Sequence, residues 1–274
     1  MRELNVVSVV TPYPYHCEIS EAALGAGKHI ICEKPFASNI TEAHSMRKMS
    51  RKHHFLTTMI DHEFRFMPQW AFLKNLIESG YIGEFQFVRV NLYLGSPPHR
   101  KNRDKFSVSN QNLGPRNEFL WGIGSHWIDS FRYWFGDIQG VKACMTINDN
   151  DEHAVKQNKG VPANDFGSDN LSVMIDFRYG GWGTIVARKI SMHNEGRADI
   201  EIFGSEGSLY FSHRLHDSHH LFHEKVYGSR LVGDDEREEL QMPARFLPFN
   251  DNCDSRLIAF RLLVQSFVKG TQEV

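Results

Sequence analysis

Cysteine is scarce in this chain, with four in 274 residues. They stand at positions 17, 32, 144 and 253, and no two form a C-x-x-C pair. That scatter excludes a zinc ribbon and a disulfide scaffold, and it suits a reducing cytoplasm. A basic excess is missing too: 31 Lys and Arg face 33 Asp and Glu, for a net charge of −2. Dedicated nucleic-acid binders carry a positive stripe, so no nucleic-acid partner is expected. Apolar runs last only a handful of residues, so no membrane-spanning helix is expected. No basic-then-apolar leader opens the sequence, so no secretion signal is expected. Nowhere does the chain read G-x-G-x-x-G, the glycine-rich phosphate-binding turn. Core material, by contrast, is plentiful: 41% of residues are hydrophobic, with 20 Phe and 5 Trp. The length suits two domains or one large one.

The first sixty residues alternate strand and helix. Residues 4–10 are a short β-branched run, ended by Pro12 and Pro14. In 18–26, Ile19, Ala22, Ala23 and Ala26 share a helical face, and Gly27 suits the left-handed cap. Residues 29–32 form a second strand. Asn39 and Glu42 spell a capping box for a helix that buries Ala43, Met46 and Met49 and ends in Arg51 and Lys52. Residues 55–60 read as a third strand. This order implies a parallel sheet with crossover helices. From about residue 64 the texture changes. A helix over 68–78 closes at Gly80. Strands then follow at 85–94, 141–147, 171–177, 183–189, 198–203 and 208–211, as in a mostly antiparallel sheet. The polar stretch 148–170 reads as a loop, and the acidic run 234–239 as solvated surface.

Two segments could carry chemistry. Glu33-Lys34-Pro35 follows the second strand, and ligands sit beyond the carboxyl ends of parallel strands. Lys34 there is either a solvated loop charge or a general acid/base. Residues 125–135 form a helix with the apolar stripe Trp127, Ile128, Phe131, Trp134 and Phe135. His126, Asp129 and Tyr133 lie on another face, which is either an ordinary polar side or a site with a proton-exchanging His. Gly122 and Gly124 precede this helix. Arg65 could pin a substrate or salt-bridge two domains. His213, His216, His219, His220 and His223 are spaced unlike any standard ligand set, and read as a solvated loop; no metal is expected. Gly204-Ser205-Glu206-Gly207 has no helix after it and reads as a hairpin turn.

Several segments, in order, resemble the Gfo/Idh/MocA family (glucose–fructose oxidoreductase, inositol dehydrogenase and relatives). They are Val9-Val10-Thr11-Pro12 with His16-Cys17-Glu18; AALGAGK at 22–28 running into His29-Ile30-Ile31-Cys32-Glu33-Lys34-Pro35; and Arg65-Phe66-Met67-Pro68. They continue with Gly80-Tyr81-Ile82-Gly83-Glu84, Gly124-Ser125-His126 with Asp129, and Ile200 through Gly207. The resemblance implies an α/β protein: residues 1–63 as the C-terminal half of a Rossmann NAD(P)-binding domain, and 64–274 as an α+β substrate and oligomerisation domain. The second domain would hold a large, mostly antiparallel open sheet. It implies NAD or NADP as cofactor, a sugar, polyol or inositol-like substrate, hydride transfer at a hydroxyl carbon, and a homo-oligomer formed through the C-terminal sheet.

Carried over by position, Thr11, Pro12, Tyr13 and His16 match cofactor-binding positions, and Glu33 and Lys34 meet the nicotinamide ribose and the reacting hydroxyl. Lys34 and His126 would be catalytic. Asp129 matches the substrate-contacting Asp, with Arg65 and Tyr133 as further candidates. The Lys34–Pro35 bond would be cis.

Two departures stand beside this. Gly122 occupies the place where relatives usually carry an Asp, four residues before the His. The phosphate loop and the residue that reads the ribose 2′ position belong ahead of residue 4. Three expectations follow: an internal Met of a longer protein opens the chain, another chain supplies the missing half, or this is a short form without dinucleotide. The last would act as a binding or assembly module.

Overall fold

The computed structural model describes residues 5–95, 120–146, 170–190, 196–215, 224–230, 236–247 and 255–272. Strands β1 (Val6–Val9), β2 (His29–Glu33) and β3 (Thr58–Asp61) form a parallel sheet in that order. Helices α1 (His16–Gly25) and α2 (Ile40–Lys52) connect them. Side chains along β2 alternate faces, as any strand must. Ile30 packs on Ala23 and Leu24 of α1, and Cys32 clusters with Met46 of α2. Ile31, between them, meets Leu263 and Phe267 of the C-terminal helix, Ser255–Gln272. Both faces of β2 are therefore covered, which explains its unbroken apolar sequence.

Local signals act much as expected. Gly27 takes φ 71 after α1. At α2, Asn39 Oδ1 accepts the Glu42 N–H at 3.0 Å, but Glu42 reaches back to the Ser38 N–H at 2.9 Å, one residue before the cap. The third strand starts later than the expected residue 55. Residues 53–56 form a turn closed by the Leu56 N–H on the His53 carbonyl, and Phe55 is left exposed.

Helix α3 (Pro68–Glu78) opens on proline and stops before Gly80, whose φ is 75. The second sheet holds β4 (Phe85–Gly95), β5 (Ile138–Thr146), β6 (Asn170–Phe177), β7 (Trp182–Ile190) and β8 (Arg197–Gly204). Then come β9 (Gly207–Arg214), β10 (Val226–Arg230) and β11 (Glu238–Leu240). Their order is β11-β10-β9-β8-β4-β7-β6-β5, with β4–β7 the parallel pair and every other pairing antiparallel. Along β4, Val88, Val90 and Leu92 are fully buried with Ile200 and Ile202 of β8, while Arg89 between them pairs with Glu201.

Helices α3 and α4 (Ser125–Phe135) supply the other side of this core through Trp70, Leu73, Trp127, Phe131 and Trp134. The indole of Trp70 donates to Ser130 Oγ at 2.9 Å, and that of Trp134 to the Trp70 carbonyl at 3.2 Å. Aromatic rings with a polar tip are fixed in place by such bonds. Ile128 departs from the expected stripe: it is 37% exposed.

The β8–β9 hairpin turns at Gly204–Gly207, as expected, and docks on residues 82–84 through Ser205 N–H to the Glu84 carbonyl and Glu206 N–H to the Ile82 carbonyl, each 2.9 Å. Gly83 (φ 70) is required there, since a Cβ would run into Ser205 Oγ. Two strands were not expected: β10, and β11 within the acidic run. Glu238 and Glu239 of β11 are exposed, and a short charged strand at a sheet edge is how folds discourage further pairing. His213 was expected in a solvated loop, yet it lies in β9 and is buried. Its four companions at 216, 219, 220 and 223 lie outside the described residues, as does the expected loop at 148–170 except for Asn170, which opens β6. Among the described residues, no helix is long and apolar enough to cross a membrane.

Candidate active site

The carboxyl ends of β2 and β3 lie side by side, with Glu33 opposite Asp61. Beyond them the chain turns, at Lys34-Pro35 after β2 and at Glu63–Phe66 after β3. The Lys34–Pro35 bond is cis. The Lys34 N–H donates to Glu33 Oε2 at 3.1 Å. Lys34 Nζ reaches across to the Gly122 carbonyl at 3.4 Å, which also accepts from Ser125 Oγ at 2.9 Å. Thus the ammonium of one sheet's edge is tethered to the start of α4.

His126, on the first turn of α4, is buried at 3% exposure. Phe64 stacks on its ring, with centroids 4.2 Å apart, and His62 meets it edge-on at 5.8 Å. Burial, then the charge of Lys34 and the neighbouring His62, hold its pKa well below the ordinary imidazole value. The ring is therefore neutral at physiological pH. Burial likewise lowers His62, against the pull of Asp129.

The carboxyls shift the opposite way. Burial pushes Asp61 up to about 6, helped by Glu33 and opposed by Lys34. It pushes Glu63 up to about 7, with its own backbone N–H opposing and Asp61 and Glu33 adding. Carboxyls raised toward neutrality beside imidazoles held uncharged, at a strand's carboxyl end, have the character of a reaction site.

Asp129 of α4 lies one turn further on. Arg65 grips it with two bonds, Nε to Oδ2 at 2.7 Å and Nη2 to Oδ1 at 2.6 Å. The guanidinium also lies 5.2 Å over the Tyr133 ring. Arg65 thus spends its guanidinium on Asp129 and Tyr133, both of which lie with it in residues 64–274. A second group stands beside β1. His16 is buried, with Nδ1 3.0 Å from the Pro35 carbonyl and Nε2 2.7 Å from the Thr11 carbonyl. It ties the Thr11-Pro12-Tyr13 turn to the Lys34-Pro35 loop. Thr11 and Pro12 are exposed and Tyr13 is half-buried.

Asp61, His62 and Glu63 were not singled out from the sequence. The signal available was their place: three polar residues directly after a parallel strand, on the same edge as Glu33 and Lys34. Among the described residues, no group of three or more His, Cys, Asp or Glu is arranged to hold a metal ion.

Comparison with known proteins agrees with this architecture. Residues 1–61 match the oxidoreductase family with NAD-binding Rossmann fold, and residues 70–210 match the GFO/IDH/MocA C-terminal domain. Levoglucosan dehydrogenase of Pseudarthrobacter phenanthrenivorans is 29% identical over 228 residues, 78% of this chain and 57% of that protein. Glucose-fructose oxidoreductase domain-containing protein 1 of Mus musculus is 25% identical over 213 residues, 76% of this chain and 50% of its own length. Among solved structures, levoglucosan dehydrogenase in complex with NADH and L-sorbose aligns with a TM-score of 0.70 at 26% identity, covering 88% of this chain and 61% of that one. This chain therefore spans little more than half the length of these relatives. With family matches over both of its sheets, the chain belongs to the Gfo/Idh/MocA family of oxidoreductases.

Proposed function

We propose that this chain is an NAD(P)-dependent oxidoreductase that moves hydride between nicotinamide and a hydroxyl carbon of a sugar, polyol or inositol-like substrate. The observation that carries the reading is the tether of Lys34 Nζ to the start of α4, which sets an ammonium beside the buried, neutral His126. The residues fit the nicotinamide end of a dinucleotide. Asp61 Oδ1 and His62 Nδ1 are buried at the strand edge without a hydrogen-bond partner among the described residues, as a site built for a polar guest would be. When bound, the nicotinamide supplies the hydride acceptor or donor. The glycine-rich turn for the diphosphate is not in this sequence, and no residue here is assigned to it.

The roles follow from position. Lys34 Nζ takes the hydroxyl proton during oxidation as the free amine and, as the ammonium, returns it during reduction. His126 meets the same oxygen as hydrogen-bond partner. Asp129, held by Arg65 against Tyr133, binds a neighbouring hydroxyl. Glu33 orients Lys34 and the ribose, while Thr11, Pro12 and Tyr13 border the cofactor and His16 locks their turn. We assign 1–63 to cofactor binding and 64–274 to substrate binding and self-association through the outer face of the large sheet. NADH in the related complexes favours NAD over NADP. The free thiols of Cys17, Cys32 and Cys144 suit a cytoplasmic setting.

The test is to titrate the purified chain with NADH and with NADPH, following nicotinamide fluorescence, and then to screen sugars. Micromolar binding and turnover that falls about 10²- to 10⁴-fold in Lys34→Ala support the reading. A folded chain that binds neither nucleotide overturns it and leaves the binding-module alternative. Full turnover in Lys34→Ala removes Lys34 from the chemistry.

A further inference from the structure

His126 has one ring nitrogen without a hydrogen bond. Its Nδ1 is buried and unpartnered among the described residues. Glu63 Oε2 stands 3.7 Å from that nitrogen, just beyond hydrogen-bond range. Such contacts often tighten when a ligand closes a site. A neutral imidazole and a carboxyl can bond in two ways. A carboxylate accepts from Nδ1–H, which leaves the lone pair on Nε2. A carboxylic acid donates to Nδ1, which puts the hydrogen on Nε2. The two arrangements differ by one proton on the carboxyl.

We propose that Glu63 is the positioning residue of His126: its carboxyl pairs with Nδ1, and the proton on that carboxyl decides whether Nε2 offers a lone pair or an N–H. The surroundings suit this exchange. Glu63 is pushed up to about 7, so both of its forms exist near neutral pH. His126 stays uncharged because it is buried beside Lys34. The groups around the pair are Asp61, His62 and Arg65 on the same segment, Glu33 and Lys34 beyond β2, and His126 and Asp129 on α4. The C-terminal helix packs Leu263, Val264 and Phe267 into the cluster around Phe66, and its Arg261 is exposed. His213 of β9 touches the far side of Phe64. Phe64, stacked on the imidazole, fixes the plane in which Nδ1 can point.

The consequence for turnover rests on the oxidoreductase reading. Lys34 moves the proton, and Nε2 meets the reacting oxygen. With Glu63 ionised, Nε2 presents a lone pair, which competes with Lys34 for the single hydroxyl hydrogen of an alcohol. With Glu63 protonated, Nε2 donates its N–H to the reacting oxygen, whose own proton passes to or from Lys34. Hydride transfer is then better supported below the Glu63 midpoint than above it, in both directions.

The tautomer itself is read without turnover. The full chain, labelled with ¹⁵N-histidine, is followed by long-range ¹H–¹⁵N spectra between about pH 5 and pH 9, with His126 assigned by its loss in His126→Gln. The expected result is a crossing from Nε2–H to Nδ1–H as pH rises through about 7. It vanishes in Glu63→Gln and survives with a moved midpoint in Glu63→Asp. A crossing that persists in Glu63→Gln, or a single tautomer throughout in the unmodified chain, overturns the proposal. If Glu63→Gln does not fold, an unmoved midpoint in Glu63→Asp overturns it. A chain that shows the crossing but binds no nicotinamide keeps the pair and loses the oxidoreductase reading. A chain that turns over without the crossing does the reverse.

Discussion

Two buried histidines flank Phe64, and each faces a glutamate. Both are 3% exposed, so burial does not distinguish them. Their partners do. His213 Nδ1 lies 3.0 Å from Glu224 Oε2, and the second oxygen of Glu224 accepts the Arg214 N–H at 2.6 Å. Every arm of that carboxylate is in use, and the corner fastens the residues before β10 to β9. At His126 the glutamate stands off at 3.7 Å and Nδ1 has no bond. A buried polar group left unpaired costs about 1–3 kcal/mol. The gap lets Glu63 close on that nitrogen when the site is filled. One corner is closed for structure and the other is held open for chemistry.

The largest expected effect breaks the closed corner. Glu224→Ala strands His213 and the Arg214 N–H together, and should lower stability by about 3–5 kcal/mol. Urea unfolding followed by tryptophan fluorescence measures it. A loss under about 1 kcal/mol would make the two corners alike, and the comparison would fail.

Next comes the open corner, where the same kind of change should stabilise. Folded Glu63 holds its proton up to about 7 rather than the ordinary 4.5. The folded state therefore binds more protons than the unfolded chain across that window. Its stability is fully present below about pH 4.5 and falls as pH rises to about 7, by roughly 3 kcal/mol. Glu63→Gln removes this slope and should be roughly 2 kcal/mol more stable than the unmodified chain at pH 8. Asp61, raised from 3.8 to about 6, should leave a residual slope below pH 6 in the variant. Denaturant curves at stepped pH separate the two. A variant no more stable at pH 8 would mean that Glu63 is not held out of water.

Phe64→Leu probes what the corners share. The ring stacks on His126 at 4.2 Å and meets His213 edge-on at 6.0 Å. A volume-reducing swap of this kind costs on the order of 1–2 kcal/mol. The His126 tautomer should lose its pH-dependent crossing, while the His213–Glu224 bond persists, since it is made without Phe64. Imidazole spectra of the variant decide between these. Equal disturbance of both rings would show one shared cluster rather than two corners.

Much of this architecture is legible in residue order, for physical reasons. Pro68 and Gly80 bracket α3 because one cannot continue a helix backwards and the other takes the left-handed φ that ends it. Trp127, Phe131 and Trp134 announce α4 by spacing alone. Ile128 departs from the stripe, 37% exposed among the described residues, because sequence spacing carries no information about neighbours. Strands β10 and β11 escape notice because strands at or next to a sheet edge need few apolar residues: Tyr227 pairs with Glu239, a charged residue. At the site, Lys34 and His126 stand out through the motifs they sit in. Asp61, His62 and Glu63 read as an ordinary polar turn until the fold sets them on the same edge as Glu33 and against the ring of His126. Their chemistry comes from burial, which a linear pattern does not display.

The smallest effect sharpens the comparison from outside it. Arg65 and Asp129 form the most regular ion pair near the site, with two bonds of 2.7 and 2.6 Å. Yet the Arg65 side chain is 39% exposed, against 10% for Asp129. Solvent screens such a pair, and exposed pairs contribute about 1 kcal/mol or less. Lysine cannot reproduce the two-pronged grip. In a double-mutant cycle with Arg65→Lys and Asp129→Asn, the coupling energy should stay below about 1 kcal/mol and shrink further in high salt. Binding of a polyol ligand should suffer more than stability does, because Arg65 sets the direction of the Asp129 carboxylate. A coupling above about 2 kcal/mol that resists salt would instead make this pair a strut of the closed kind, as at His213 and Glu224. Good geometry alone would then not have separated holding from binding; the degree to which water reaches each group is what separates them here.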